Sequence, residues 1–223
     1  MEKLCSIQRR LSPMSKVKIL QRPSDIIEIK SVIPSIIERM DYASKNNFTG
    51  EIVPGYTRPL ALLQESAVHA LAKVQEDLSK NQLGLIIYDA YRPHKSVEFF
   101  SKEWKNKEDL LDIKNKYYPN KTKDQLFQEG FLSKQSSHSR GSTVDLSIIN
   151  LASKEEIDMG SIFDFFDETS FSFSDRISDS SKQARIILIG LMEKHGFINY
   201  HKEWWHFSYV DEKYNHFFFD FDI

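Results

Sequence analysis

The strongest constraint on the fold of this chain comes from an amphipathic helix followed directly by a buried strand. Across residues 60–80, apolar side chains recur every three or four positions and polar side chains occupy most of the other face, which is the periodicity of a half-buried helix. Residues 84–88 (GLIIY) form a short apolar run that predicts a buried strand, and Pro93 prevents its continuation. The core is therefore expected to contain both helices and strands.

The rest of the chain keeps helical and extended segments apart. The further predicted segments are a charge-rich helical region interrupted at Pro119 (94–129), a strand (143–149), a loop rich in Phe, Ser and Asp (163–181), a helix closed by Gly196 (181–195) and a last strand (204–210). This order predicts the α+β class, as a single domain with a central, mostly antiparallel sheet and flanking helices.

One domain is also what the length indicates, because 223 residues exceed the usual domain of about 150 residues only moderately. Residues 1–30 are polar with little periodicity, and we expect them to form an N-terminal extension. Residues 31–223 contain no repeat, low-complexity run or long linker, and we expect them to form the domain.

Charge and composition exclude several classes of protein. The net charge of −2 and the pI of about 6.4 argue against a nucleic-acid-binding protein, which usually carries a basic surface. The longest apolar stretch has seven residues (186–192), too few for a transmembrane helix. The N-terminus lacks the apolar core of a signal peptide, so we expect a cytoplasmic protein, or a periplasmic one if the start is misread. Because Cys5 is the only cysteine, an intrachain disulfide and a cysteine-based zinc finger are excluded.

One of the seven histidines has an unusual neighbourhood. His138 lies seven residues before Asp145, and Asp145 is flanked by Val144 and Leu146 in a predicted strand. Asp is rare in strands, and a buried carboxylate is costly unless another group pairs with it. A metal ion could be that partner, and so could Arg140 or a backbone turn; the residues alone leave these possibilities open.

A second candidate site is the segment Glu-Trp-Trp-His at residues 203–206. A catalytic zinc site uses about three protein ligands and leaves one position for water, and a nearby Glu commonly acts as the base. On a regular strand, Glu203 and His206 would lie on opposite faces, since their offset is three. The hypothesis therefore requires a bend near Trp204.

A third candidate is Arg92, which follows the first buried strand in the segment Tyr-Asp-Ala-Tyr-Arg-Pro. Its permanently charged, forked guanidinium could stabilise negative charge that develops during a reaction. A surface salt bridge is the simpler interpretation of this residue when it is taken alone.

Together, these segments carry a resemblance to a known family. The motifs Tyr-Asp-Ala-Tyr-Arg-Pro, Ser-x-His-Ser-Arg-Gly-x-x-x-Asp, Met-Gly-Ser-x-Phe-Asp and Glu-Trp-Trp-His occur in this order. From about Tyr42 to the C-terminus, the chain resembles the zinc D-alanyl-D-alanine dipeptidases of the vancomycin-resistance type. The resemblance implies one Zn²⁺ per chain, located on the sheet, and hydrolysis of D-Ala-D-Ala to two D-alanines in the metabolism of cell-wall precursors.

The resemblance also assigns roles to individual residues. It implies that the zinc ligands are His138, Asp145 and His206. It implies that Glu203 is the general base and that Arg92 steadies the oxyanion. The residues that it implies for substrate binding are Asp164 at the ammonium, Ser136 near the carboxylate, and Tyr42 and Tyr56 as pocket-lining tyrosines.

Two other functions are compatible with the same motifs. The His-x₆-Asp and Glu-x-x-His halves occur in the wider clan of D,D-carboxypeptidases and peptidoglycan endopeptidases, whose substrates are longer. A non-catalytic zinc module that binds peptides is the other alternative, although such a module needs no base beside the metal. The expected partner is a small dipeptide, with no nucleic acid and no membrane span, and the oligomeric state is not indicated.

Overall fold

The computed structural model describes residues 17–223, and its main element is a five-stranded mixed sheet in the order β3-β5-β6-β8-β7. Strand β3 is parallel to β5, and the other three neighbouring pairs are antiparallel. Two small sheets join β1 to β9 in parallel and β2 to β4 antiparallel. The strands are β1 (Val17–Ile19), β2 (Ile26–Glu28), β3 (Ile37–Glu38), β4 (Leu62–Gln64), β5 (Leu83–Asp89), β6 (Thr143–Asn150), β7 (Phe197–Asn199), β8 (His206–Tyr209) and β9 (Phe217–Phe219).

Five α-helices accompany the sheet, so the predicted α+β class is confirmed for residues 17–223, with a mixed, mostly antiparallel sheet. The helices are α1 (Glu65–Ser79), α2 (His94–Glu98), α3 (Leu111–Tyr117), α4 (Lys123–Gln128) and α5 (Asp179–Lys194). None of them combines the length and the apolarity that crossing a bilayer would need.

Two predicted helices have different bounds in the structure. The helix predicted from residue 60 begins at Glu65, because the residues before it pair with β2 as strand β4. The helical region 94–129 is divided: α2 continues as a π-helical turn (Phe99–Glu103), and Pro119 lies in the turn between α3 and α4. Helix α4 then begins with a capping box in which Thr122 and Gln125 bond each other's backbone.

The core lies between the sheet and its two longest helices. Helix α1 buries Leu71, Val74 and Leu78 and packs against β5 and α5. Strand β6 is central and is buried along nearly its whole length. Because side chains alternate along a strand, its apolar residues at 144, 146 and 148 face one way while Asp145 and Ser147 face the other.

The first part of the described chain also contacts this core. Ile26 and Ile29 are buried, and β1 and β2 pair with β9 and β4. Residues 1–16 of the predicted extension, Cys5 among them, lie outside the described residues. The predicted division at residue 31 stays a prediction.

Gly141 ends the turn that precedes β6, and it gives a prediction about stability. Its φ of +71° lies in the left-handed region, and a Cβ there would lie 2.8 Å from Ile26 Cδ1. We expect Gly141→Ala to lower the free energy of unfolding by about 1–3 kcal/mol, measured by denaturant unfolding. Gly190→Ala, at an exposed position of α5, is the control, because no atom lies within 4 Å of its added Cβ and alanine favours the helix. Equal stabilities for the two variants would contradict the expected strain.

Candidate active site

Three neighbouring strands bring polar side chains into one row across the sheet. Asp145 on β6 lies opposite Asp89 on β5 and opposite His206 on β8. The register of β5 shifts between Ile87 and Asp89, and this bulge turns Asp89 to the face that Asp145 occupies. The row is therefore a consequence of strand pairing between segments that are far apart in sequence.

His138 joins this row from the turn before β6. That turn is a short 3₁₀ helix (Ser137–Arg140), and Ser136 Oγ caps it by accepting a hydrogen bond from the His138 backbone N–H. His138 Nδ1 lies 2.7 Å from the Ala90 carbonyl oxygen. Because a carbonyl can only accept, Nδ1 carries the proton, and a neutral ring then has a free lone pair on Nε2.

The three predicted metal ligands converge on one point. His138 Nε2 lies 3.2 Å from one carboxylate oxygen of Asp145, and His206 Nδ1 lies 3.1 Å from the other. The two ring nitrogens are 3.3 Å apart, and burial lowers the pKa of His206, which favours the neutral, ligating form.

This geometry fits a tetrahedral cation. Metal–ligand bonds of about 2.0–2.1 Å separate tetrahedral ligand atoms by about 3.3 Å. Asp145 Oδ1 is buried, and although His206 Nδ1 lies 3.1 Å from it, no group among residues 17–223 donates a well-aligned hydrogen bond to this oxygen. A buried carboxylate oxygen normally accepts one. Arg140, the alternative partner of Asp145, instead donates to Glu212 at 2.8 Å. Two imidazoles and one carboxylate are a donor set that suits zinc.

Glu203 lies beside this cluster because the chain turns before β8. The turn has hydrogen bonds from Glu203 N–H to the Tyr200 carbonyl and from His206 N–H to the Glu203 carbonyl. Strand β8 begins at His206, later than predicted, and the bend expected near Trp204 is confirmed. Glu203 Oε2 lies 3.5 Å from His206 Nδ1. Burial, together with the charges of Asp145 and Asp164, raises the pKa of the Glu203 carboxyl well above its usual range.

Arg92 is buried rather than part of a surface salt bridge. Its Nε and Nη2 both lie 2.8 Å from one oxygen of Asp89, and Nη2 lies 3.4 Å from Asp145. The guanidinium carbon lies 5.0 Å from the centre of the Tyr42 ring. The side chain is thus held on two sides while it lines the cavity described next.

The cluster and Asp164 both line a cavity of about 250 Å³. Asp164 is buried, its φ is +58°, and Tyr42 donates to its carboxylate at 2.8 Å. Burial raises the pKa of Asp164 well above its usual range. The predicted site residues that line the cavity are Tyr42, Arg92, Ser136, His138, Asp145, Asp164, Glu203 and His206.

Tyr56 does not line this cavity. Its hydroxyl donates to Asp89 at 2.6 Å, and Asp89 also accepts from Arg92. Tyr56 is therefore linked to the cavity through Asp89 and Arg92. Asp89 itself was missed by sequence reasoning, although it is fully buried and accepts hydrogen bonds from both Tyr56 and Arg92. The signal that singled out Asp145, a carboxylate at a buried strand, would have found Asp89 as well.

Comparisons with known proteins agree with the motifs. The family model of the D-Ala-D-Ala dipeptidases, peptidase M15, matches residues 22–223. The D-alanyl-D-alanine dipeptidase of Enterococcus faecalis is 40% identical over 190 residues, covering 82% of this chain and 90% of the relative. The enzyme of the same name from Enterococcus faecium is 37% identical, with the same coverage of 82% and 90%. That of Streptomyces coelicolor is 31% identical over 89% of this chain and 98% of the relative. The chain therefore belongs to the D-Ala-D-Ala dipeptidase family of M15 metallopeptidases.

Proposed function

We propose that this protein is a zinc-dependent dipeptidase that hydrolyses D-Ala-D-Ala to two molecules of D-alanine. One observation carries the proposal: two ring nitrogens and a carboxylate lie within 4.8 Å of one another, next to the buried Glu203 and Arg92 in a small cavity. The family membership and the names of the relatives support the same substrate.

In this proposal His138, Asp145 and His206 hold the zinc ion. When bound, the ion would polarise a peptide carbonyl and lower the pKa of a water molecule to about 7. Three protein ligands would leave one coordination position of the ion for water or substrate. Asp89 helps to hold two of the site residues in place. Its carboxylate lies 3.5 Å from His138 Nδ1 and accepts a hydrogen bond from Arg92.

Glu203 acts as the general base and then as the general acid. Its carboxylate takes a proton from the attacking water and returns that proton to the nitrogen of the leaving D-alanine. A base is most effective when its pKa approaches the working pH, and burial shifts the pKa of Glu203 in that direction. Because Glu203 lies in the turn before β8, its carboxylate lies beside the proposed metal ligands but is not one of them.

Arg92 binds the oxygen on which negative charge develops. A fixed donor stabilises a transition state only if it does not reorganise during the reaction. Asp89 supplies that rigidity, since two nitrogens of the guanidinium point at one of its oxygens. Tyr42 and Phe100 cover the planar group at 5.0 and 5.7 Å.

The two charged ends of the dipeptide explain the preferred length. Asp164 receives the ammonium, with Tyr42 holding its carboxylate, and Ser136 lies near the substrate carboxylate. An ammonium next to Asp164 would lower the pKa that burial raises, so binding and ionisation of this group favour each other. A peptide extended at its amino end would leave Asp164 buried without its partner, and sites reject such substrates strongly.

The biological setting follows from the substrate. We place the reaction in the metabolism of cell-wall precursors. In the cytoplasm, hydrolysis of free D-Ala-D-Ala would prevent the incorporation of this dipeptide into those precursors. The cytoplasmic location stays a prediction.

Release of D-alanine from D-Ala-D-Ala, measured with and without a chelator, tests the proposal. We expect chelator-sensitive release from the dipeptide and none from a muramyl pentapeptide assayed beside it. Release of D-alanine from the pentapeptide would indicate a D,D-carboxypeptidase instead. Bound zinc with no release from either substrate would favour the non-catalytic zinc module.

A further inference from the structure

Helix α5 carries a buried arginine that has no part in the proposed mechanism. Arg185 is fully buried, and burial lowers its pKa to about 10, so the guanidinium is still charged at neutral pH. Its four hydrogen bonds all go to uncharged oxygens of the described chain. A buried cation without a paired carboxylate is costly, so these hydrogen bonds are what makes its burial tolerable.

The four hydrogen bonds tie together the two ends of one segment, residues 159–171. At the first end, Nε donates to the Met159 carbonyl at 2.7 Å and Nη2 lies 3.4 Å from Ser161 Oγ. At the other end, Nη1 donates to the Phe171 carbonyl at 2.6 Å and Nη2 to the Thr169 carbonyl at 2.9 Å. The planar fork of a guanidinium can serve several acceptors at once in this way.

Between these two ends lies Asp164. The segment has little regular structure besides one 3₁₀ turn (Glu168–Ser170). Asp164 has a left-handed backbone, with φ of +58°, which is unfavourable for a residue with a side chain and persists only where the surroundings hold it. Within residues 17–223, its carboxylate accepts one hydrogen bond, from Tyr42 at 2.8 Å.

The buried side chains of Phe163 and Phe166 hold the middle of this segment. A hydrogen bond of 2.9 Å between the hydroxyls of Ser161 and Ser170 also joins its ends. The four bonds of Arg185 add to these contacts in fixing the backbone at Asp164.

We propose that Arg185 is the positioning residue of Asp164: by clamping both ends of residues 159–171, it holds the Asp164 carboxylate where the substrate ammonium binds. This inference rests on the proposed function of the site. Arg185 does not line the cavity, so it acts through the backbone of the segment. Lysine keeps the charge but lacks the fork, so it cannot tie the two ends in the same way.

Steady-state kinetics of Arg185→Lys test the proposal. We expect KM for D-Ala-D-Ala to rise about tenfold or more while kcat changes less than threefold. The Ki of N-propionyl-D-alanine, which keeps the amide and the carboxylate but lacks the ammonium, should change less than twofold. Arg176→Lys is the matched control, since Arg176 is exposed and pairs with Glu168 of the same segment; its kinetics should match wild type. If KM and Ki rise together, the effect is a general defect of the pocket and the proposal is wrong.

Hydrogen exchange gives a second readout that needs no substrate. We expect the backbone amides of residues 159–171 to exchange at least tenfold faster in Arg185→Lys than in wild type. Unchanged exchange would overturn the clamp, whatever the kinetics show. Arg185→Gln, which keeps two donors, replaces the lysine variant if that variant does not fold. If wild type releases no D-alanine, the proposed function fails, and the exchange experiment still decides whether Arg185 holds the segment.

Discussion

Replacement of Glu203 by glutamine is expected to lower the turnover of D-Ala-D-Ala by about 10²–10⁴-fold, the usual contribution of a general acid–base residue. Glutamine has almost the same shape as glutamate but cannot take a proton from water. Because Glu203 is not one of the three side chains that converge on the metal position, the variant should bind zinc as wild type does. Its zinc content and its rate of D-alanine release are to be measured on the same preparation.

The control for this variant is Glu193→Gln on α5, where the side chain is exposed. It removes the same charge from the chain and should leave turnover unchanged. If Glu203→Gln releases D-alanine at the wild-type rate, another group is the base. If the variant loses its zinc, Glu203 contributes to metal binding and its assignment as a separate base is wrong.

Replacement of His138 by alanine is expected to abolish zinc binding and, with it, all chelator-sensitive activity. Metal binding also stabilises the folded state, since the ligands are assembled only there. At a free zinc concentration 100 times Kd, this stabilisation is about 2.7 kcal/mol. For a protein of this size it corresponds to a rise in Tm of about 5–11 °C. Wild type should show this rise on addition of zinc, and His138→Ala should not.

His69→Ala provides the comparison, because His69 is exposed on the polar face of α1. It removes an imidazole without touching the cluster, so its zinc content and its Tm shift should equal those of wild type. A zinc-induced shift of Tm that survives in His138→Ala would contradict the proposed ligand set. The same measurement on His206→Ala tests the second imidazole independently.

The site residues that the sequence predicted are those whose charge or position is unusual for the secondary structure predicted around them. Asp145 stands out as a carboxylate in a predicted buried strand. The structure shows it in the central strand, with an oxygen that accepts no well-aligned hydrogen bond from residues 17–223. The bend at Trp204 was predicted for a related reason, because a regular strand would have separated Glu203 from His206. Local conflict of this kind can be recognised in a single sequence.

Other features depend on partners that are distant along the chain. Strand β4 has three residues and pairs with β2, so its residues were assigned to the following helix. The bulge that turns Asp89 towards Asp145 arises from the pairing of β5 with β6. The sequence could have indicated Asp89 as a buried carboxylate, but no local pattern indicates the bulge. The sequence predicts Tyr56 in the pocket wall, yet in the structure its hydroxyl contacts Asp89 instead. Asp89 lies 33 positions further along the chain, so local sequence cannot show this contact.

Asp145 and His206 lie opposite each other on β6 and β8, so with the proposed zinc ligands the supply of metal would affect the accuracy of folding. A slip of one residue between these strands would turn one of the two side chains to the other face of the sheet. Such a misaligned sheet could not bind the ion with both ligands. Only the correctly aligned molecule gains the binding free energy, which grows with the free metal concentration. Zinc in the cell would therefore select among competing alignments of the sheet while the chain is still folding.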